Sequence, residues 1–82
     1  MNQHNLGMNG AVADVLRGRA RRSLVTQAEL AERSGLSVPS VQRYLAAKRA
    51  IDVEVLERLA RALDTTVQSV VLEAAELMAG KR

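Results

Sequence analysis

Apolar positions in this chain recur at intervals of three and four residues, the spacing that aligns side chains on one face of an α-helix. Val12, Val15, Leu16 and Ala20 follow it, with Arg between them, and predict a first helix over Ala11–Ser23 despite Gly18. Thr26 and Glu29 have the spacing of a capping box, in which each side chain bonds the other's backbone amide. They open a second, short helix whose apolar side is Ala28, Leu30 and Ala31, closed at Gly35 where a left-handed residue is needed. Leu36 plugs the turn, and Ser37 caps a third helix that tolerates Pro39 because first-turn amides lack intrahelical partners. On it Val41, Tyr44 and Leu45 share one face, while Pro39, Gln42, Arg43 and Ala46 share the opposite one.

A basic loop over Lys48 to Ala50 leads to a fourth helix. There Ile51 and Leu56 staple across the N-cap Asp52, and Val55, Leu56, Leu59 and Leu63 form the inward stripe with Ala60 and Ala62. Thr65 and Gln68 read as a second capping box, opening a fifth helix that runs to about Ala79. That last helix is apolar over more of its circumference than a core-facing helix needs: Val67, Val70, Val71, Leu72, Ala74, Ala75, Leu77 and Met78. Met1 to Gly10 shows no periodicity and reads as a flexible arm, leaving 11–80 as one all-α, five-helix domain.

Composition narrows the picture. The chain has 82 residues, room for one core, and that core must be aliphatic because Tyr44 is the only aromatic residue. With no cysteine there is no disulfide, thiolate metal site or cysteine nucleophile. His4 is the lone histidine, and neither paired carboxylates nor a Gly-rich phosphate loop nor a nucleophile–base set is present. The reading is therefore no enzyme, no cofactor and no metal. The first residues lack the basic and apolar regions of a secretory signal, and no apolar run approaches a membrane span, so the expectation is a cytoplasmic, nucleoid-associated protein with no membrane partner.

Charge changes the picture more. The formal net charge of +3 is modest, but from Arg17 to Arg49 eight basic residues face two acidic ones, whereas from Ala50 to Gly80 acids outnumber bases. A basic stretch is either a solvated face or a surface for a polyanion. Ten of the twelve basic residues are Arg, the side chain suited to bidentate phosphate and guanine contacts, which leans toward nucleic acid.

Two short helices joined by a Gly-containing turn, the second with a polar outward face, form the local pattern of a helix-turn-helix from Thr26 to Ala46. The B-form major groove is about 12 Å wide and admits one helix, so the base-facing side must be short or polar and the back apolar. The residues themselves resemble a family. Thr26-Gln27-Ala28-Glu29-Leu30-Ala31, Ser34-Gly35-Leu36-Ser37 and Ser40-Val41-Gln42-Arg43-Tyr44 are similar to the helix-turn-helix of the lambda repressor and Cro, or XRE, family. The likeness continues through Lys48-Arg49, Leu56, Leu59-Ala60, Ala62-Leu63 and Val67, covering roughly Val12 to Leu72.

That resemblance implies a lambda-repressor-like DNA-binding domain with double-stranded DNA as partner. Val38, Pro39, Gln42 and Arg43 fall where the family reads base edges. Arg43 can donate twice to guanine O6 and N7, or else hold a phosphate; Val38 and Pro39 can recognise only thymine methyls or shape. Gln27 corresponds to a phosphate-contacting Gln, and Ser37, Ser40, Lys48 and Arg49 to further backbone contacts, with Arg19 and Arg22 at the end of helix one expected to join them. The sequence departs from the family in two places. Ala46-Ala47 stands where many members have Asn-Gly, suggesting a longer turn or helix, and Ala20 and Leu45 stand where others place an ion pair.

The function implied is a repressor of phage or bacterial type, bound to a palindromic operator as a homodimer. Val71, Leu72, Ala75 and Met78 are the dimerisation candidates; the competing reading has them filling the monomer core. An antitoxin that engages a toxin protein through helix five and represses its own operon is the alternative function.

Overall fold

The computed structural model describes residues 7–80, which form five α-helices: α1 (Met8–Arg22), α2 (Gln27–Ser34), α3 (Val38–Leu45), α4 (Val53–Ala62) and α5 (Val67–Met78). Helix α1 lies chiefly along α5, and α2 packs on both α3 and α4, so the α2–α3 pair is held against the rest from two sides. Each helix sends one aliphatic side chain into the centre: Leu16, Leu30, Val41, Leu59 and Val70 are all fully enclosed. Alanines fill the remaining contacts, with Ala11, Ala20, Ala31, Ala60, Ala62 and Ala74 in the same cluster. Small residues there let helix axes approach closely, which suits a core with one aromatic side chain.

The expected caps at three helix starts are present. Thr26 and Glu29 exchange both capping-box bonds, at 3.0 and 2.9 Å, Ser37 accepts from the Ser40 amide, and Asp52 accepts from the Val55 amide. Four expectations are corrected. Helix α1 begins at Met8, so residues 8–10 of the predicted arm are helical; Gly10 is buried, and packing overrides its poor propensity. Residues 1–6, the rest of that arm, lie outside the described residues.

Ala28, expected on the inward side of α2, is exposed, because that side is defined by Leu30, Ala31 and Ser34, and Ala28 sits about 200° from Leu30 on a helix of 3.6 residues per turn. Thr66 caps α5 in place of Thr65, accepting from the Ser69 amide at 3.1 Å. The cap falls there because the Thr66 carbonyl accepts the first helical bond, from the Val70 amide, while the Thr65 amide bonds the Ala60 carbonyl and completes the end of α4.

The fourth correction concerns Ala46-Ala47. Helix α3 neither runs on nor enters a longer turn: it stops at Leu45, and Ala47 takes the left-handed conformation, φ +59°, that glycine would adopt at no cost. The Lys48 amide then reaches back to the Arg43 carbonyl and the Ala47 amide to Tyr44, the pair of bonds that ends a helix in a Schellman turn. The same two bonds end α1 at Leu24 and α4 at Asp64, both also left-handed. Ala20 and Leu45, the apolar substitutes for a family ion pair, are both buried in the core.

Candidate nucleic-acid interface

The third helix is two-sided in the way its sequence requires. Val41, Tyr44 and Leu45 are buried, whereas Val38, Pro39, Gln42, Arg43 and Ala46 are exposed. Gln42 lies between Val38 and Ala46 on the outer stripe, and Arg43 stands to the side nearer Pro39, at roughly 100° per residue. The back of the helix cannot rotate outward without exposing three core side chains, so the outer five are presented in fixed order.

The N-terminal turn of α3 carries a second feature. The Ser37 hydroxyl accepts from the Ser40 amide and donates to the Ser40 hydroxyl oxygen at 3.0 Å, which orients the Ser40 hydroxyl proton away from Ser37. Gln27 is exposed as the first residue of α2. Beside it Glu29 has its carboxyl held below its ordinary value near 4.5, chiefly by the Thr26 backbone amide, with the Thr26 hydroxyl and Arg33 adding to the effect.

Lys48 and Arg49 are exposed on the loop that leaves α3. The Arg49 guanidinium stands 5.2 Å from the centroid of the Tyr44 ring, a cation–π arrangement that ties its charge to the buried back of α3. Asn9, which lies in the stretch expected to be an arm, holds the loop from the other side. Its Oδ1 accepts from the Ile51 amide at 2.8 Å and its Nδ2 donates to the Arg49 carbonyl at 3.4 Å. No local pattern signals this residue, because its partners lie some 40 positions away.

Two arginines of α1 bond neighbouring helices. Arg17 donates to the Leu45 carbonyl at the end of α3 and to Asp14, bracing α1 against the third helix. Arg19 is paired with Glu73 of α5, and Arg22 lines the groove between α1 and α5 with Asp14, Gly18, Glu73 and Glu76. The structure thus leaves Lys48 and Arg49 exposed on the loop after α3 and pairs Arg19 with α5, while Arg22 stays exposed at the edge of the α1–α5 groove. Among the described residues no group of His, Cys, Asp and Glu is arranged to hold a metal ion, and no helix is long and apolar enough to cross a membrane.

A family model described as helix-turn-helix matches residues 12–70, which span all of α2, α3 and α4 and most of α1. The chain belongs to the helix-turn-helix family of the XRE, or Cro/C1, type. No curated relative and no solved structure matches it. Membership makes the protein a DNA-binding transcription regulator, with α2 and α3 as its helix-turn-helix and double-stranded DNA as its partner. The fold is the small all-α one of lambda-repressor-like domains.

Proposed function

We propose that the protein is a repressor that binds a palindromic operator as a homodimer in the cytoplasm, at the nucleoid, and carries no enzymatic role. The observation that carries the reading is the outer face of α3, where Val38, Pro39, Gln42 and Arg43 stand exposed on a helix anchored by Val41, Tyr44 and Leu45. In the major groove Arg43 donates to guanine O6 and N7, Gln42 makes the bidentate pair with adenine, and Val38 and Pro39 meet thymine methyls. Gln27, Ser37, Ser40, Lys48 and Arg49 contact phosphates and set the register. Since Arg19 is paired with Glu73 of α5, it belongs to the architecture of the α1–α5 pair in this reading, while the exposed Arg22 joins the loop in contacting phosphates.

A single domain of this size meets few bases, and two copies reading half-sites about 34–36 Å apart double the information. Exposure on α5 supports a partner there: Val71, Leu72, Ala75 and Met78 are exposed while Val70 and Ala74 face the core. Those four residues are therefore the dimer surface in this proposal.

The test is selection of a duplex from a randomised pool, followed by anisotropy titration of the winner with wild type and Arg43→Ala, with light scattering on the free and bound protein. A palindrome bound by two chains, with its preference flattened by Arg43→Ala, is the expected result. Sequence-blind binding by a monomer would overturn it and turn attention to a toxin-like protein partner for α5.

A further inference from the structure

We infer that Asn9 is a positioning residue for DNA binding, clamping from α1 the loop that carries Lys48 and Arg49. The loop between α3 and α4 has few means of its own to hold a shape. Its upstream end is set by the left-handed Ala47 and the Lys48 amide bonded to the Arg43 carbonyl. Its downstream end is the N-cap Asp52. Between them Lys48, Arg49 and Ala50 are exposed.

Asn9 closes this gap. A side-chain amide has one acceptor oxygen and two donor hydrogens in a plane, the same groups a peptide unit offers a neighbouring strand. In the first turn of α1, Asn9 uses both kinds, accepting from the Ile51 amide at 2.8 Å and donating to the Arg49 carbonyl at 3.4 Å. Ala50 is bracketed, and the backbone at Arg49 cannot rotate without breaking one of the two bonds. The Arg49 side chain is in turn drawn over Tyr44. The backbone clamp and the cation–π contact together fix the Arg49 charge relative to the reading face of α3.

Phosphates lie at set positions along a duplex, so a cation held in place binds one at a lower entropic cost than a cation on a wandering loop. Arg and Lys side chains have much rotamer freedom to lose, and a rigid backbone beneath them limits what remains to be ordered on binding. The clamp acts through Lys48 and Arg49 and makes no contact with DNA itself.

The inference rests on Lys48 and Arg49 meeting phosphates, and the experiment separates the two. Affinity for a mixed-sequence duplex is titrated across salt concentration for wild type, Asn9→Ala, the double variant Lys48→Ala/Arg49→Ala, and the triple variant, with circular dichroism and melting temperature recorded for each. The double variant is expected to lower the salt slope by about 2, one phosphate contact contributing about 0.9. Asn9→Ala is expected to weaken binding several-fold and lower the slope by about 1, and to add nothing in the triple variant, because the cations it positions are gone. Asn9→Ser, too short to span both partners, is expected to behave like Asn9→Ala and serves if the alanine variant folds poorly. An unchanged slope, or an equal loss in both backgrounds, would overturn the role of Asn9. A double variant with the wild-type slope would instead remove the phosphate contacts on which the clamp depends.

Discussion

At the residue scale, the helix-ending turns hold unusual strain. Leu24, Ala47 and Asp64 all have φ near +60°, a conformation costing roughly 1–2 kcal/mol for a residue with a Cβ. Glycine removes that strain and returns part of the gain as extra freedom of the unfolded chain. Ala47→Gly is therefore expected to raise stability by about 0.5–1 kcal/mol, read from chemical denaturation with an unchanged m-value. Leu24 is 86 % exposed, so no buried contact offsets its strain, and nothing in the fold explains why a leucine stands there.

Glu29 supplies the second residue-scale prediction. Its folded carboxyl titrates below its ordinary value near 4.5, first because the Thr26 backbone amide bonds the ionised form. The carboxylate therefore stabilises the fold above that ordinary value, and the contribution disappears as pH falls through the lower folded value. Melting curves from pH 7 to pH 3 should show wild type losing, below about pH 4.5, an increment that Glu29→Gln lacks, since glutamine keeps the capping-box acceptor without titrating. Parallel pH profiles for the two proteins would contradict this.

The helix-turn-helix shows how one element divides its duties by face. Leu30 of α2 is fully enclosed in the core, and Leu30→Ala is expected to cost about 2–5 kcal/mol in unfolding free energy through the cavity it leaves. Gln42, on the exposed side of α3, should behave in the opposite way: Gln42→Ala leaves the melting temperature within about 2–4 °C of wild type, consistent with a change of less than about 0.5 kcal/mol, and shifts which duplexes are preferred. A Gln42→Ala variant that melts far below wild type would show that the outer face supports the fold after all.

Much of this division was legible from residue order. The Thr26–Glu29 box, the left-handed Gly35, the Ser37 cap and the Asp52 cap rest on interactions three to five residues apart, which local pattern fully specifies. The α5 start lies one residue beyond the expected Thr65 because Thr65 and Thr66 both suit a cap, and it is the Thr66 carbonyl that takes the first helical bond once the Thr65 amide closes the end of α4.

On the scale of the whole molecule, α5 has two different sides. Val70 and Ala74 join the core, while Leu72 remains 62 % exposed with Val71, Ala75 and Met78 near it. Leu72→Glu is expected to leave the helical content and the monomer's core intact and to shift the light-scattering mass from dimer toward monomer, with operator affinity falling in step. A dimer of undiminished stability would move the self-association surface elsewhere.

Periodicity, caps and the basic-to-acidic division of the chain were enough to determine five helices, the helix-turn-helix within them and the exposed face of α3 with Arg43, because each depends on residues close in sequence or on the face a helix turns outward. The destinations of the arginines and the contacts of Asn9 were decided only by the tertiary structure. Arg19 looks like Arg17 in sequence, yet Arg17 reaches the end of α3 while Arg19 pairs with Glu73 of α5. Those assignments depend on which helices become neighbours across 28 to 54 residues, and a long side chain takes the nearest carbonyl or carboxylate that packing supplies.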